Sequence, residues 1–285
     1  MDFDFNLILV PLTLVFFVIW LLDKLVFKQR KTRGKGHENA IITWSYDFWP
    51  VMVVVLVLRS FFYEPFNIPS ESMVPTLETG DFILVNKYQY GVRLPILNDK
   101  IINISEPKRG EVFVFRYPED PKLNYIKRVI GIPGDHIVYK NGVLSVNGQP
   151  VVQEPVAFER SKDSIMEPIA YFKESLGEHQ HLIRRNEQFN PLFASYADNL
   201  TSKMKQPYVS KTNRPLFLNS QGNEWEAVVK DHEYFAMGDN REYSADSRYW
   251  GMVPAENLVG KAVYIWTHKE PGWNLPSFSR NSAIK

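Results

Sequence analysis

The stretch Ile68-Pro69-Ser70-Glu71-Ser72-Met73-Val74-Pro75-Thr76-Leu77 divides the chain into two parts of different period. Ahead of it the apolar residues run without alternation, and behind it they alternate. Prolines at 69 and 75 fix φ and bias the residues before them toward extended backbone. The stretch is therefore expected to be a braced, non-helical loop. In an extended segment side chains alternate with period two, which would put Ser70 and Ser72 on one face. Two such hydroxyls could divide acyl transfer, one attacking a carbonyl and the other donating to the oxyanion. A Pro-flanked Ser-x-Ser is more often an ordinary turn whose hydroxyls bond nearby backbone. The question for the rest of the chain is what would activate one of these serines.

Working toward the amino terminus, Phe5 to Phe27 is apolar apart from Asn6, Thr13, Asp23 and Lys24, long enough to cross a bilayer. The acidic start and the lack of a small-residue cleavage site favour an uncleaved anchor over a signal peptide. Residues 28–47 carry Lys28, Arg30, Lys31, Arg33 and Lys35, a basic loop expected on the cytoplasmic side. A second apolar run spans about residues 48–63. It reads either as a second span, in which Arg59 must snorkel or pair, or as a short buried core helix. Two spans would put the amino terminus and everything after Tyr63 outside the cytoplasm.

Toward the carboxyl terminus, β-branched, period-two runs cover Asp81 to Tyr88, Glu111 to Tyr117, Asn124 to Gly131, His136 to Lys140, Val143 to Val146 and Gly260 to Thr267. These are expected strands, with Asn141-Gly142 a hairpin turn. No long amphipathic helices separate them, so the sheet should be mostly antiparallel. The expected fold is thus a mostly antiparallel β domain preceded by two transmembrane helices. The anchor would take residues 1–63 and the β domain 64–152 and 224–285, with 153–223 a polar inserted subdomain.

A formal net charge of +1 gives no electrostatic case for a nucleic-acid partner. The absence of cysteine excludes disulfides, thiolate nucleophiles and cysteine-ligated metals. His179-x-His181 lacks a third ligand nearby in sequence, so no metal is expected. None of the six histidines, at 37, 136, 179, 181, 232 and 268, lies in a motif with an orienting carboxylate. The other general solution is a lysine made neutral by burial. Lys127, in Tyr125-Ile126-Lys127-Arg128-Val129-Ile130-Gly131, stands in an apolar strand, where it reads either as that base or as a lysine snorkelling at a strand edge. Gly238-Asp239-Asn240-Arg241-Glu242-Tyr243-Ser244-Ala245-Asp246-Ser247-Arg248 is dense in turn formers and charges. It reads as a surface turn held by ion pairs, from which Ser244 could hydrogen-bond a neutral lysine.

Taken together, the serine loop, the strand lysine and the Gly-Asp-Asn turn behind two apolar runs resemble the type I signal peptidase family, and the resemblance to its Gram-negative bacterial members is close. The resemblance is nearly continuous over Arg59 to Gly148, returns at Tyr234 to Trp266, and leaves the insertion without a motif. It implies Ser72 as nucleophile, Lys127 as general base, Ser70 with the Ser72 N–H as oxyanion hole, and Ser244 as the group orienting the lysine. Asp239 would pair with Arg128, and Asp246 with Arg248. Phe66, Ile68, Met73, Leu77, Tyr125 and Ile126 would line shallow pockets for the small residues of an Ala-x-Ala site. The implied partners are secretory preproteins and the lipid bilayer, at the outer face of a bacterial inner membrane and without a cofactor.

Two positions depart from the family pattern, Glu71 for a common glycine and Tyr243 for a small polar residue. A carboxylate at 71 is expected to point away from the serines. Phe61, Phe62, Phe66, Trp266 and Trp273 read equally as interface aromatics and as core. Two rivals stay open: a non-catalytic anchored β domain that binds exported chains, and a serine-lysine peptidase with one dedicated client.

Overall fold

Asn6–Leu22 forms the first long helix and passes through one π-helical turn, Asp23–Phe27. The computed structural model describes residues 6–93, 100–156, 169–186, 213–218, 224–270 and 272–285. The second long helix, Ala40–Phe61, begins well ahead of the expected residue 48. Asn39 explains the difference: its side chain accepts the Ile41 N–H at 3.0 Å, an N-cap that lets 40–47 join the helix. Leu7–Phe27 and Ala40–Arg59 are then 21 and 20 residues long, each able to span a hydrocarbon core of about 30 Å.

The core-helix alternative fails on exposure, because Val51, Val54 and Leu58 all lie open on the outer face. The two helices meet through Phe17, Trp20 and Trp49, with the Trp20 and Trp49 rings 4.8 Å apart. Asp23, the buried acid between them, accepts from Gln29 N, Arg30 N and Tyr46 Oη. At the far end Arg59 pairs with Glu64 at 2.8 Å, and Lys87 grips the other Glu64 oxygen at 3.0 Å. The cation near the helix end is thus paired to the first strand of the sheet.

Every ladder between named strands is antiparallel among the described residues. The main sheet runs, in spatial order, Tyr63–Asn67, Asp81–Asn86, Leu258–His268, Val112–Arg116, Asn124–Gly131, Glu233–Met237 and Val253–Pro254, with Ser282–Ala283 added to the long strand. A second sheet holds His136–Lys140 and Val143–Val146, joined at Asn141 and Gly142, both with positive φ as a primed hairpin turn requires. Its other neighbour is Trp225–Val228.

A third sheet, Val152–Val156, Ile169–Leu176 and His179–Asn186, lies within the stretch expected as a polar insertion. Residues 157–168, 187–212 and 219–223 of that stretch lie outside the described residues. The strands there are hard to read because several inward positions are polar: Glu174, His181 and Asn186 are all buried. Hydropathy alternation fails when the buried face is ionic.

One apolar cluster, built on Ile83, Val85, Val114 and Ile265, lies beneath the serine loop and includes Ile68, Met73 and Leu77. Another packs Phe113, Phe115, Val129 and Trp250. Of the aromatics left open by sequence, Phe66 packs against the first cluster, while Phe62, Trp266 and Trp273 are exposed. The side chain of Phe61 lies outside the described residues.

Candidate active site

The serine loop is held at both ends, by Ile68 N to Asp81 O at 2.8 Å and by Gly80 N to Ile68 O at 2.9 Å. Between these ties it is a series of turns, closed by Val74 N to Glu71 O and Leu77 N to Met73 O, and not the extended segment expected. Met73 and Leu77 are fully buried, and their burial curls the chain back onto the sheet. Ser70 and Ser72 still converge, with Oγ atoms 3.5 Å apart, because the turn does what alternation was expected to do. Ser72 is buried at 8% exposure, whereas Ser70 and Glu71 are exposed.

Lys127 comes from the strand Asn124–Gly131, in register with Phe113 of Val112–Arg116. It is buried at 4% exposure, so it is not a snorkelling lysine. Its Nζ lies 2.6 Å from Ser72 Oγ and donates to Ile126 O at 2.9 Å. Burial pulls its pKa down to about 8, against the opposing pull of Asp246 and Asp239 and with help from Arg248. At pH 7 roughly a tenth of such lysines are neutral, against less than one in a thousand at the free pKa of about 10.4.

Arg128, the next residue, points the other way and is completely buried. It forms a bidentate pair with Asp239, Nε to Oδ1 at 2.8 Å and Nη2 to Oδ2 at 2.7 Å, and donates to Gly110 O and Lys285 O. Burial opposes ionisation of Asp239, but the guanidinium outweighs it and holds the carboxyl below its usual range. The Thr76 hydroxyl also donates to Asp239, which ties the serine loop to this ion pair.

Asp246 accepts the Gly238 N–H at 2.9 Å and the Arg248 guanidinium at 2.7 and 2.8 Å. This pair sets the path of the Gly-Asp-Asn turn. Ser244 is buried beside it, but its Oγ makes no hydrogen bond, so the expected bond to Lys127 is not made. Ser244 Oγ and Ser72 O both lie 2.3 Å from the point where a Cβ on Gly238 would stand. Gly238→Ala should therefore push the serine loop off the turn and lower kcat by about 100-fold with a smaller change in KM. Steady-state kinetics on the folded variant measure this, and an unaltered kcat would mean the contact does not govern the reaction.

Asn240 is the residue that sequence reasoning passed over. Its backbone N–H donates to Ser72 O at 3.1 Å and its Nδ2 to Glu71 O at 3.0 Å, so one buried asparagine pins the nucleophile loop twice. Its place in the Gly-Asp-Asn island was visible, but the partner 169 positions away was not. Of the six expected pocket residues, Ile68, Met73, Leu77 and Ile126 are buried beneath the loop and only Phe66 and Tyr125 are half-open. Tyr125 stacks on Tyr117 with ring centroids 4.4 Å apart.

The histidines do meet carboxylates that the sequence concealed: His268 lies 2.8 Å from Asp81 and His181 3.2 Å from Glu174. At Ser72 Oγ, however, the hydrogen-bonding groups are Ser70 and Lys127. Among the described residues no cluster of His, Asp or Glu has the arrangement of a metal site.

Comparison with known proteins adds an independent line. The family described as signal peptidase, peptidase S26, matches residues 41–267. Signal peptidase I of Pseudomonas aeruginosa is 43% identical over 260 residues, covering 87% of this chain and 80% of that protein. Signal peptidase I of Pseudomonas fluorescens is 41% identical over 261 residues, with 87% and 81% covered. That of Buchnera aphidicola subsp. Baizongia pistaciae is 35% identical over 271 residues, with 89% and 86% covered. A solved signal peptidase I from Enterococcus faecalis V583, 20% identical over 56% of this chain and 98% of that one, gives a TM-score of 0.28, too low to bear on the fold. The family match reaches from the second long helix through the serine loop and the lysine strand to the last long strand of the main sheet, and together with identity at this level it makes the chain an enzyme of the signal peptidase family, peptidase S26.

Proposed function

We propose that this enzyme is a serine-lysine endopeptidase that removes signal peptides from exported preproteins by cutting after the small residues of an Ala-x-Ala site. The observation that carries the reading is the 2.6 Å approach of a buried, pKa-depressed Lys127 to Ser72 Oγ. With Lys127 neutral, the Ser72 hydroxyl becomes the donor in that contact. Ser72 Oγ attacks the carbonyl carbon of the residue before the cut while Nζ takes its proton. The new oxyanion is held by Ser70 Oγ and the Ser72 N–H. As the tetrahedral intermediate collapses and the scissile C–N bond breaks, the Lys127 ammonium gives its proton to the leaving amine; Lys127, neutral again, takes a proton from the water that attacks and releases the acyl-enzyme. Ser244, buried with no hydrogen-bond partner on its Oγ, would orient Lys127. No cofactor takes part.

Both long helices cross the membrane in this reading, with the basic loop 28–47 in the cytoplasm and both termini on the periplasmic side. The anchor 1–63 then holds the β domain, 64–152 and 224–285, close to the bilayer, and 153–223 is an insertion into it. A preprotein's apolar segment occupies the same bilayer, which raises its effective concentration. Phe66 and Tyr125 would form the open walls of the small pockets, with Ile68, Met73, Leu77 and Ile126 as the apolar floor.

A base that must be neutral dictates the pH profile. Lys127 titrates near pH 8, so kcat/KM should rise about tenfold per pH unit below that point and level off above it. A profile flat from pH 6 to 9 on a soluble peptide substrate would contradict a lysine base.

A further inference from the structure

The strands Ile169–Leu176 and His179–Asn186 form a hairpin inside the stretch that no motif marked, yet it touches the whole of the turn 239–243. Arg184 N donates to Asp239 O at 2.9 Å, and Arg184 bridges in parallel to Asn240. Asn186 N donates to Glu242 Oε2 at 2.9 Å and Asn186 Nδ2 to Tyr243 Oη at 3.2 Å. The Arg184 guanidinium lies 5.7 Å from the Tyr243 ring centre, so the unusual tyrosine is a hairpin contact. Beneath these, Arg241 and Glu174 form a bidentate ion pair, with Nη1 to Oε2 at 2.7 Å.

Glu174 has no exposure and Arg241 only 4%. Burial opposes the carboxylate, but Arg241 holds it well below its usual range. His181 sits behind, 3.2 Å from Glu174 and 3.9 Å from Asp239. Two buried pairs, Arg128 with Asp239 and Arg241 with Glu174, thus hold two residues of one turn. The same turn carries Asn240, whose two hydrogen bonds fix Glu71 and Ser72.

We propose that this hairpin is a positioning strut for the peptidase site, with Glu174 the positioning residue that sets the Asp239–Asn240 turn and, through Asn240, the Ser72 loop. Glu174 accepts from the Arg241 guanidinium, Arg241 directly follows Asn240 in the turn, and the Asn240 N–H donates to Ser72 O. The proposal rests on the reading of Ser72 and Lys127 as the reacting pair.

Glu174→Gln keeps the volume and removes the charge. In the full-length protein in detergent, well below its unfolding temperature, kcat should fall at least tenfold while KM stays within twofold, since small misplacements at a reacting atom act on turnover. Hydrogen exchange of residues 239–243 should accelerate while that of Asn124–Gly131 is unchanged. A role confined to stability would lower the unfolding temperature and move neither. Unchanged kcat and unchanged local exchange in the folded variant overturn the proposal. Faster exchange of the turn with unchanged kcat also overturns it, because the turn then does not set the Ser72 loop; a Ser72→Ala protein that keeps its activity would instead place the failure in the assignment of Ser72. Should Glu174→Gln not fold, Asn186→Ala, which loses the 3.2 Å bond to Tyr243, is read by the same two measurements.

Discussion

Lys127→Ala should lower kcat/KM by about 10⁴- to 10⁶-fold, the range found when one member of a unit that acts together is removed. Lys127 is the one basic group hydrogen-bonded to Ser72 Oγ among the described residues, so nothing near at hand replaces it. The double variant with Ser72→Ala should be no slower than either single change, because each alone abolishes the same step. Lys127→Met sharpens the test. Burying an ammonium without a carboxylate hydrogen bond is costly, so a methionine of similar length should leave thermal stability equal or higher while activity is lost. Loss of activity together with a large fall in unfolding temperature would mean that the lysine serves the structure.

Arg128→Met should destabilise the solubilised protein by about 3–5 kcal/mol, the cost of leaving one member of a buried pair without its partner. Asp239 would keep its charge and lose both guanidinium bonds, and Gly110 O and Lys285 O would lose theirs. Adding Asp239→Leu should return part of that stability, since the orphaned charge is gone. It should not return activity, because the Thr76 hydroxyl then loses its acceptor and the serine loop its tie to the turn. Urea unfolding and peptide turnover separate the two effects. A single variant within 1 kcal/mol of wild type would contradict the pair's structural role.

The long strands were legible because Phe113, Val129, Ile137 and Ile265 alternate or cluster as apolar inward residues do. Asn124–Gly131 and His136–Lys140 fall where periodicity put them. The helix start at Ala40 was missed because Thr43, Ser45 and Asp47 interrupt the apolar run ahead of residue 48, and the helix capped by Asn39 continues through them. The hairpin 169–186 was missed for a deeper reason: its inward residues include Glu174, His181 and Asn186, which look like surface until their partners are known.

At the site, the serine loop and the strand lysine could be read as candidates because Pro69, Pro75 and the apolar neighbours of Lys127 constrain them locally. Asn240 and Glu174 could not, because their partners at Glu71, Ser72 and Arg241 are set by tertiary folding alone. Buried polar contacts between distant segments leave no period in a sequence.

The most direct test of the serine-lysine reading is cleavage of a preprotein bearing an Ala-x-Ala site by the full-length enzyme in lipid, compared with a folded Ser72→Ala protein, with the new amino terminus identified by mass spectrometry. The wild type should release one product cut immediately after the second alanine, and Ser72→Ala should release none on the same timescale. Cleavage at the wild-type rate by Ser72→Ala would show that the attacking group lies elsewhere.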